Sequence, residues 1–511
     1  MKAACPKLVI AGTGSGVGKT SLALGLARRL TRQGLRVQTF KVGPDFLDPG
    51  YLAMASGRTC YNLDGWMTSR EYVRELFARA TADADIAIVE GVMGMFDGAS
   101  PNTLEGSTAE IALWLDAPVL LVVNAHGAAR SLAATVQGFA RFEPGVRLAG
   151  VIANQGGSER HRAWIAESLA GAAAPPLVGM LPRGSLPTLP SRHLGLVTAE
   201  QANLSAGILD QLADACAQHL DLPAIMELAR VGWDQRAPAH HNRTDKQNHG
   251  GPALADAQPV SGCPVCPGEP TNASRRCPPP YEKTGTPPKL RLGIARDEAF
   301  HFYYPDNLES LARAGVEWAP FSPLADARLP TDLHGLYFGG GYPEVHAAGL
   351  SANAGMLADV RALAAAGGLV YAECGGLMYL GRGITTLDGK RYPMAGVLPV
   401  ETAMLDKLKV LGYTEITWAA DSLWGPAGEV ARGHEFHYSH ITAPEGPASG
   451  WQPAYTVCRR RAAPRSTGIL PVSNALEGLC QGRVLAGYVH LHWASRPQAI
   501  HHFLSCCEKR P

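Results

Sequence analysis

The sequence predicts an α/β chain made of two successive units, each with a parallel sheet covered by helices on both faces. Short, almost uniformly apolar strands alternate with amphipathic helices along most of the 511 residues, the pattern of strands buried on both sides. Prolines crowd into one stretch. Ala237–Lys289 holds eleven in 53 residues, among Asn, Gln, Gly and His, which is the composition of a linker. The expected units are therefore residues 1–235 and 290–511, with 236–289 a disordered linker between them. Glycine-rich loops follow several of the strands, at the carboxyl edge where such sheets gather ligands.

Composition narrows the functions. Lys+Arg 46 against Asp+Glu 45 leaves a charge of +1, so no global field would hold a nucleic acid or an anionic membrane. At 46% hydrophobic and 18% charged residues the chain can bury sizeable cores. The 11 cysteines are scattered rather than arrayed as a disulfide framework, and neither a signal-peptide core nor a membrane-length apolar run is present. A reducing, cytoplasmic setting is expected. Cys263 and Cys266 in the linker have a spacing that can begin a zinc site, yet no second pair stands at ribbon or finger distance, so the stretch reads as an inserted loop.

In the first unit, Leu8–Ala11 reads as a strand and Lys19 to about Gln33 as a helix, with further strands at Val37–Phe40, Ile86–Val89, Val119–Val123 and Leu148–Ile152. Between the first strand and helix lies Gly12-Thr13-Gly14-Ser15-Gly16-Val17-Gly18-Lys19-Thr20. Glycines let the backbone turn several N–H groups inward toward a phosphate, and the helix N-terminus adds its partial positive charge. Lys19 would reach the β/γ-phosphates of a nucleotide and Thr20 would ligate Mg²⁺. Thr13 stands where the strict motif has its first glycine. Two more loops leave strands nearby, Lys41–Gly50 and Glu90–Gly98, and their carboxylates are natural Mg²⁺ ligands beside a phosphate cradle.

In the second unit the strands Leu292–Ala295, Gly335–Phe338 and Leu369–Ala372 repeat the pattern. The last ends in Glu373-Cys374-Gly375-Gly376 before a helix, the cysteine form of a nucleophile elbow, where the helix N-terminus should favour the thiolate. Gly339-Gly340-Gly341 follows another strand and can offer N–H groups to an oxyanion. The strand Val484–Val489 leads into His490-Leu491-His492, which puts a histidine base at a strand end.

These residues together resemble the cobyrinic acid a,c-diamide synthase family of glutamine-dependent amidoligases. The likeness runs from residue 7 to about 235 and from 290 to about 500. Its specific pieces are Thr13–Thr20, Lys41–Pro49, Glu90–Gly98, Gly150–His161, Asp297–Asn307, Gly339–Glu344, Glu373–Leu380 and Arg432–Ser439. The resemblance implies a P-loop NTPase-like domain, similar to dethiobiotin synthetase, that binds ATP, Mg²⁺ and a cobyrinic acid-type corrinoid. A class I, triad-type glutamine amidotransferase domain of flavodoxin-like α/β fold follows it. Cys374 would attack glutamine with His490 as base, and ATP would turn substrate carboxylates into acyl phosphates for ammonia to displace. Thr13, Gly14, Gly16, Gly18, Lys19 and Thr20 map to the nucleotide and Asn154 to the adenine edge. Thr20, Asp45 and Glu90 map to Mg²⁺, and Lys41, Asp45, Asp48 and Asp97 to the substrate. The partners implied are corrinoid, glutamine and ATP, without nucleic acid or membrane, and a homodimer is left open.

Three departures accompany the likeness. His492 occupies the place where most triad amidotransferases carry glutamate, so the residue that orients His490 is unassigned. Val123-Asn124-Ala125-His126 stands where an aspartate is expected. Ala462–Gly482 reads as an insertion, and if it displaced the His490 strand the glutaminase would fail. Within the same class a nickel-sirohydrochlorin a,c-diamide synthase and a cobyric acid synthase are rivals, and Arg432–Ser439 with Lys41–Pro49 favours the a,c enzyme over the latter. From other classes come a P-loop ATPase switch, which has no use for Cys374, and a degenerate binding protein.

Overall fold

A computed structural model describes residues 5–187, 206–234, 290–442, 450–460 and 471–508. The linker expected over 236–289, with its cysteines, lies outside them.

The first unit runs β1 (Lys7–Gly12), α1 (Lys19–Arg32), β2 (Val37–Val42), α2 (Leu47–Ser56), β3 (Tyr61–Leu63), α3 (Arg70–Ala80), β4 (Ile86–Glu90), α4 (Thr108–Leu115), β5 (Val119–Asn124), α5 (Arg130–Phe142), β6 (Leu148–Gly156), α6 (Glu159–Gly171), β7 (Leu177–Pro182), α7 (Ala206–His219) and α8 (Leu222–Asp234). Its seven strands form one parallel sheet in the order β3-β2-β4-β1-β5-β6-β7. Val9 and Ala11 enter one apolar core and Leu8 and Ile10 the other, which explains the uniformly apolar strands. Helix α1 buries Leu22, Ala23, Leu26, Ala27 and Leu30 at helical spacing and carries Arg29 and Arg32 in its last turn, where the helix dipole favours cations. Because β2 and β4 are neighbours and β4 adjoins β1, the loops after β1, β2 and β4 meet at one end of the sheet.

The second unit runs β8 (Leu290–Ala295), α9 (Pro305–Arg313), β9 (Val316–Phe321), β10 (Gly335–Phe338), α10 (Ala347–Ala352), α11 (Ala354–Ala365), β11 (Leu369–Glu373), α12 (Gly375–Leu380), β12 (Gly383–Thr385), β13 (Arg391–Pro393), β14 (Glu401–Met404), β15 (Val410–Trp418), β16 (Val430–His437), β17 (Ser439–Thr442), β18 (Gln452–Arg460), β19 (Pro471–Gln481), β20 (Val484–Gly487), β21 (His490–Leu491) and α13 (Gln498–Glu508). Its main sheet is mixed rather than parallel throughout, in the order β21-β16-β15-β18-β19-β20-β11-β10-β8-β9. Strands β9, β8, β10, β11 and β20 are parallel, and the rest pair antiparallel. The antiparallel strands alternate in burial, as in β15, a signature of half-covered sheet that differs from the apolar runs of β10 and β11.

Two expectations need correction here. Residues 471–481 of the expected insertion are strand β19, which bridges β18 and β20 inside the sheet, while 461–470 lie outside the described residues. Strand β20 keeps its place, with Tyr371 opposite Leu485 and Ala372 opposite Ala486. The predicted strand Val484–Val489 also ends earlier, at Gly487, and His490 opens the separate β21. Five strand spacings of about 4.8 Å would put β20 and β21 about 24 Å apart in a flat sheet. The two residues between them span at most about 11 Å, so the antiparallel half curls back on itself. That curl returns His490 to the end of β11.

The two units touch through named side chains. Tyr72 donates to Asp306 Oδ2 at 2.7 Å, Tyr413 to Asp64 Oδ2 at 2.7 Å, and Tyr304 to the carbonyl of Pro44 at 3.3 Å. Arg432 donates to the carbonyl of Trp66 at 3.1 Å and lays its guanidinium 5.0 Å from the centre of that ring.

Candidate active site

The loop after β1 wraps as a phosphate cradle. Gly16 (φ 77°) and Gly18 (φ 102°) take left-handed conformations that side chains disfavour. A Cβ on Gly18 would lie 2.4 Å from Asn154 Nδ2, so only glycine fits. Lys19 arches over the loop and donates to the carbonyl of Gly14 at 2.9 Å. Thr13 donates its N–H to the carbonyl of Val122, anchoring the loop to β5. The loop after β4 lies against the cradle: Met95 N–H donates to the carbonyl of Gly12, and Asp97 Oδ2 accepts from Gly94 N–H at 2.9 Å.

Thr20 Oγ1 donates to Glu90 Oε1 at 2.5 Å. The other oxygen of that fully buried carboxylate, Oε2, has no hydrogen-bond partner among the described residues. A hydroxyl and an unsatisfied carboxylate oxygen side by side fit a hard cation. No three His, Cys, Asp or Glu side chains form a metal-binding group among the described residues, so Mg²⁺ here would draw its remaining oxygens from nucleotide and water. The structure does not bring Asp45 into this pair. Its Oδ1 accepts the N–H of Leu47 at 2.9 Å and closes a turn around Phe46.

Lys41, at the end of β2, is 4% exposed and lies 2.8 Å from Asp48 and 3.1 Å from Glu90, with the carbonyl of Gly91 also at 3.1 Å. Burial works against its charge, but Asp48 and Glu90 outweigh it and hold the ammonium's pKa above the ordinary value. Burial raises the pKa of Glu90 even so, and lowers that of Lys19, with the charge of Lys41 adding to the latter effect. Asn154, expected at the adenine edge, donates to the carbonyl of Val17 at 2.9 Å and accepts the N–H of Gln155 at 2.9 Å. It braces the cradle, with one amide hydrogen and one lone pair to spare. Asn124, where an aspartate was expected, accepts the N–H of His126 and holds a turn.

In the second unit Cys374 sits at φ 48°, ψ −106°, a conformation rare for any side chain and typical of a nucleophile elbow. Its N–H donates to the carbonyl of Gly487 at 2.7 Å. Gly375 and Gly376 are needed because a Cβ on the first would lie 2.9 Å from Pro343 Cδ and 3.1 Å from Gly341 N, and one on the second 2.6 Å from the carbonyl oxygen of Phe338. The triple-glycine loop thus lies directly on the elbow, with backbone N–H groups beside the nucleophile. The expected help from the helix N-terminus is outweighed. Burial, and then the charge of Glu344, push the Cys374 thiol well above its ordinary pKa. Glu344 also lines a cavity of about 420 Å³, with Thr386, Tyr392, Met404 and Tyr438.

His490 lies over Gly340, where an added Cβ would come within 2.3 Å of its Cε1. Burial, reinforced by His434 and His437, lowers its pKa to about 3, so it is neutral, and in this arrangement a weak base. Its Nδ1 faces Glu373 Oε2 at 3.8 Å, beyond a hydrogen bond. Glu373, which the sequence did not single out, is the residue before the nucleophile. It accepts from Tyr371 at 2.6 Å, Tyr337 at 3.1 Å and the N–H of Leu491 at 3.1 Å, and burial raises its pKa to about 7. His492, in the place of the usual glutamate, pairs instead with Asp306 at 3.2 Å. The motif Arg432–Ser439 forms β16 and its turn, where Arg459 grips Glu435 through two hydrogen bonds of 2.8 and 2.9 Å.

Comparison with known proteins agrees with this division. The family model of the CobQ/CobB/MinD/ParA nucleotide binding domain matches residues 8–197, and that of the CobB/CobQ-like glutamine amidotransferase domain matches residues 291–498. The cobyrinate a,c-diamide synthase of Syntrophotalea carbinolica is 53% identical over 98% of this chain and 99% of its own length. The enzyme of that name from Leptospira interrogans serovar copenhageni is 39% identical over 99% of both chains. The hydrogenobyrinate a,c-diamide synthase of Streptomyces coelicolor is 39% identical over 99% of this chain and 98% of its own. With a phosphate cradle, a cysteine elbow and end-to-end similarity of this extent, the chain belongs to the cobyrinate a,c-diamide synthase family.

Proposed function

We propose that the chain amidates the a and c acetate carboxylates of cobyrinic or hydrogenobyrinic acid, with ATP as activator and glutamine as nitrogen donor. The observation that carries the reading is the pairing, in one chain of this family, of the Thr20–Glu90 phosphate site with the Cys374 elbow. A carboxylate is a poor electrophile at neutral pH, so its oxygen first attacks the γ-phosphorus of ATP and ADP leaves. Ammonia then attacks the acyl carbon and phosphate departs.

Lys19 and the loop N–H groups take up the charge of the phosphates, and Lys41, Asp45, Asp48 and Asp97 orient the substrate. Thr20 and Glu90 would hold Mg²⁺, which neutralises phosphate charge when bound. Asn154 offers its remaining amide hydrogen and lone pair to adenine. In the second site His490 takes the thiol proton of Cys374 as sulfur attacks the glutamine carboxamide, then gives it to the departing nitrogen, so that the C–N bond breaks, ammonia leaves and a thioester remains. Backbone N–H groups of the Gly339–Gly341 loop and the elbow receive the oxyanion, and water releases glutamate from the thioester. Glu373 is the group placed to orient His490 through Nδ1. A substrate set of ATP and glutamine, used with a free thiol, supports a cytoplasmic setting for the reaction.

The test is incubation with ATP, Mg²⁺ and glutamine while cobyrinic acid, hydrogenobyrinic acid and nickel-sirohydrochlorin are offered separately, with products weighed by mass spectrometry. Amidation of a corrinoid that stops after both acetate positions supports the reading. No mass change with either corrinoid overturns it.

A further inference from the structure

We infer that Phe46 is a positioning residue that couples the two sites: its ring holds His490 idle, and filling of the synthetase site withdraws the ring and lets His490 turn to Glu373. The inference rests on the two-site amidation proposed above and adds what links the sites. Phe46 belongs to the first unit, yet its ring centre lies 4.9 Å from that of His490, 5.1 Å from Phe302 in a stacked arrangement, and 4.5 Å from Tyr304. His490 in this arrangement is buried with no hydrogen-bond partner for Nδ1 among the described residues, 3.8 Å from the carboxylate that would orient it. A catalytic imidazole without its orienting bond is idle.

The backbone around Phe46 transmits position. Asp45 closes the turn that holds Phe46, and Asn62 ties the carbonyls of Gly43 and Asp45 at 2.8 Å each. Two residues after Phe46, Asp48 in the first turn of α2 is paired with Lys41, which also holds Glu90. A phosphate or carboxylate oxygen that competes for Lys41 releases Asp48 and, through that one turn of chain, moves Phe46. On the far side, the N–H groups of His301 and Phe302 both donate to the carbonyl of Gly340, the residue under the His490 ring. Phe46, from the first unit, therefore lies against the imidazole and is itself backed by Phe302, whose ring centre is 6.5 Å from that of His490.

The experiment measures glutamate release by the full chain with and without ATP plus cobyrinic acid, glutamate formed per amide formed, and amidation from ammonium chloride. In wild type the substrates should stimulate glutamate release. In Phe46→Ala, unstimulated release should rise about ten-fold toward the stimulated rate, with glutamate exceeding amide while amidation from ammonium stays within about two-fold. Phe46→Tyr should restore stimulation. Phe302→Leu, which leaves the substrate loop intact, should raise unstimulated release in the same direction. Unchanged stimulation in Phe46→Ala and Phe302→Leu, or loss of ammonium-supported amidation in both, overturns the inference. Absence of ammonium-supported amidation in wild type would instead count against the amidation reading.

Discussion

Lys41→Met tests the buried ionic cluster of the synthetase site most severely. The side chain is removed from between Asp48 (2% exposed) and Glu90 (0%), 2.8 and 3.1 Å from its ammonium. Deleting one partner of a buried ion pair costs about 3–5 kcal/mol, because the remaining charge has neither water nor counter-ion. For a unit of this size each kcal/mol moves the melting point by about 2–4 °C, so the first unfolding transition should drop by roughly 6–20 °C. The loss has a definite pH dependence. Without Lys41 the pKa of Glu90, already raised by burial, rises further above its unfolded value near ~4, so folding takes up more protons and the variant regains stability as pH falls. In wild type the raised pKa of Lys41 contributes fully at every pH below about 10 and adds no slope in this range. The deficit should therefore be smaller at about pH 5.5 than at about pH 8. Scanning calorimetry at the two pH values reads it directly. Equal melting points for variant and wild type at both would refute the assigned pairing.

Three further predictions address the remaining parts. Gly18→Ala and Gly340→Ala form a mirrored pair, since the added methyl meets Asn154 at 2.4 Å in one and His490 at 2.3 Å in the other. The first should abolish amidation from either nitrogen donor, and the second should lower glutamine-supported amidation about 100-fold or more while sparing ammonium, as product assays with each donor will show. Cys374→Gly relieves the φ 48°, ψ −106° backbone and should stabilise the second unit by about 1 kcal/mol in urea unfolding, while amidation survives only with ammonium. Burial opposes the charge of Glu435, but His437 and Arg459 hold its pKa to about 2. Its stabilising contribution is present above the unfolded value near ~4 and is lost as pH falls toward about 2. Acid titration of tryptophan emission should show that loss, and Arg459→Met should shrink it and move it to higher pH.

The nucleotide cradle and the elbow were legible because each is local: glycine spacing, Lys19-Thr20 and Glu373-Cys374-Gly375-Gly376 are contiguous in the chain. What joins residues across the chain was not. The Lys41–Asp48 pair depends on how α2 folds back on β2, and His492 meets Asp306 only because β21 returns beside α9. Glu373 did leave a signal, since Tyr371 and Glu373 alternate onto one face of β11 and their side chains are bonded. Strand β19 was read as an insertion because Pro464, Gly468 and Pro471 break up Ala462–Val472 and hide the alternation that follows. Phe46 and Tyr304, which join the units, look like ordinary loop aromatics until both halves are placed.

The curl of the antiparallel strands has a consequence for how the molecule behaves in company. An open sheet has two raw margins where another chain can add a strand, and bending β21 back toward β20 takes one of these out of reach. The other margin is β9, whose outward positions are Glu317 and Pro320, a charge and a residue with no N–H to offer. The seven-stranded sheet ends on one side in the three-residue β3. On the other it ends in β7, which is bridged at Gly179 by Leu220 and closes in Pro182. Each border of these two sheets is thus short, covered, or chemically unfit for pairing, which guards them against edge-to-edge aggregation.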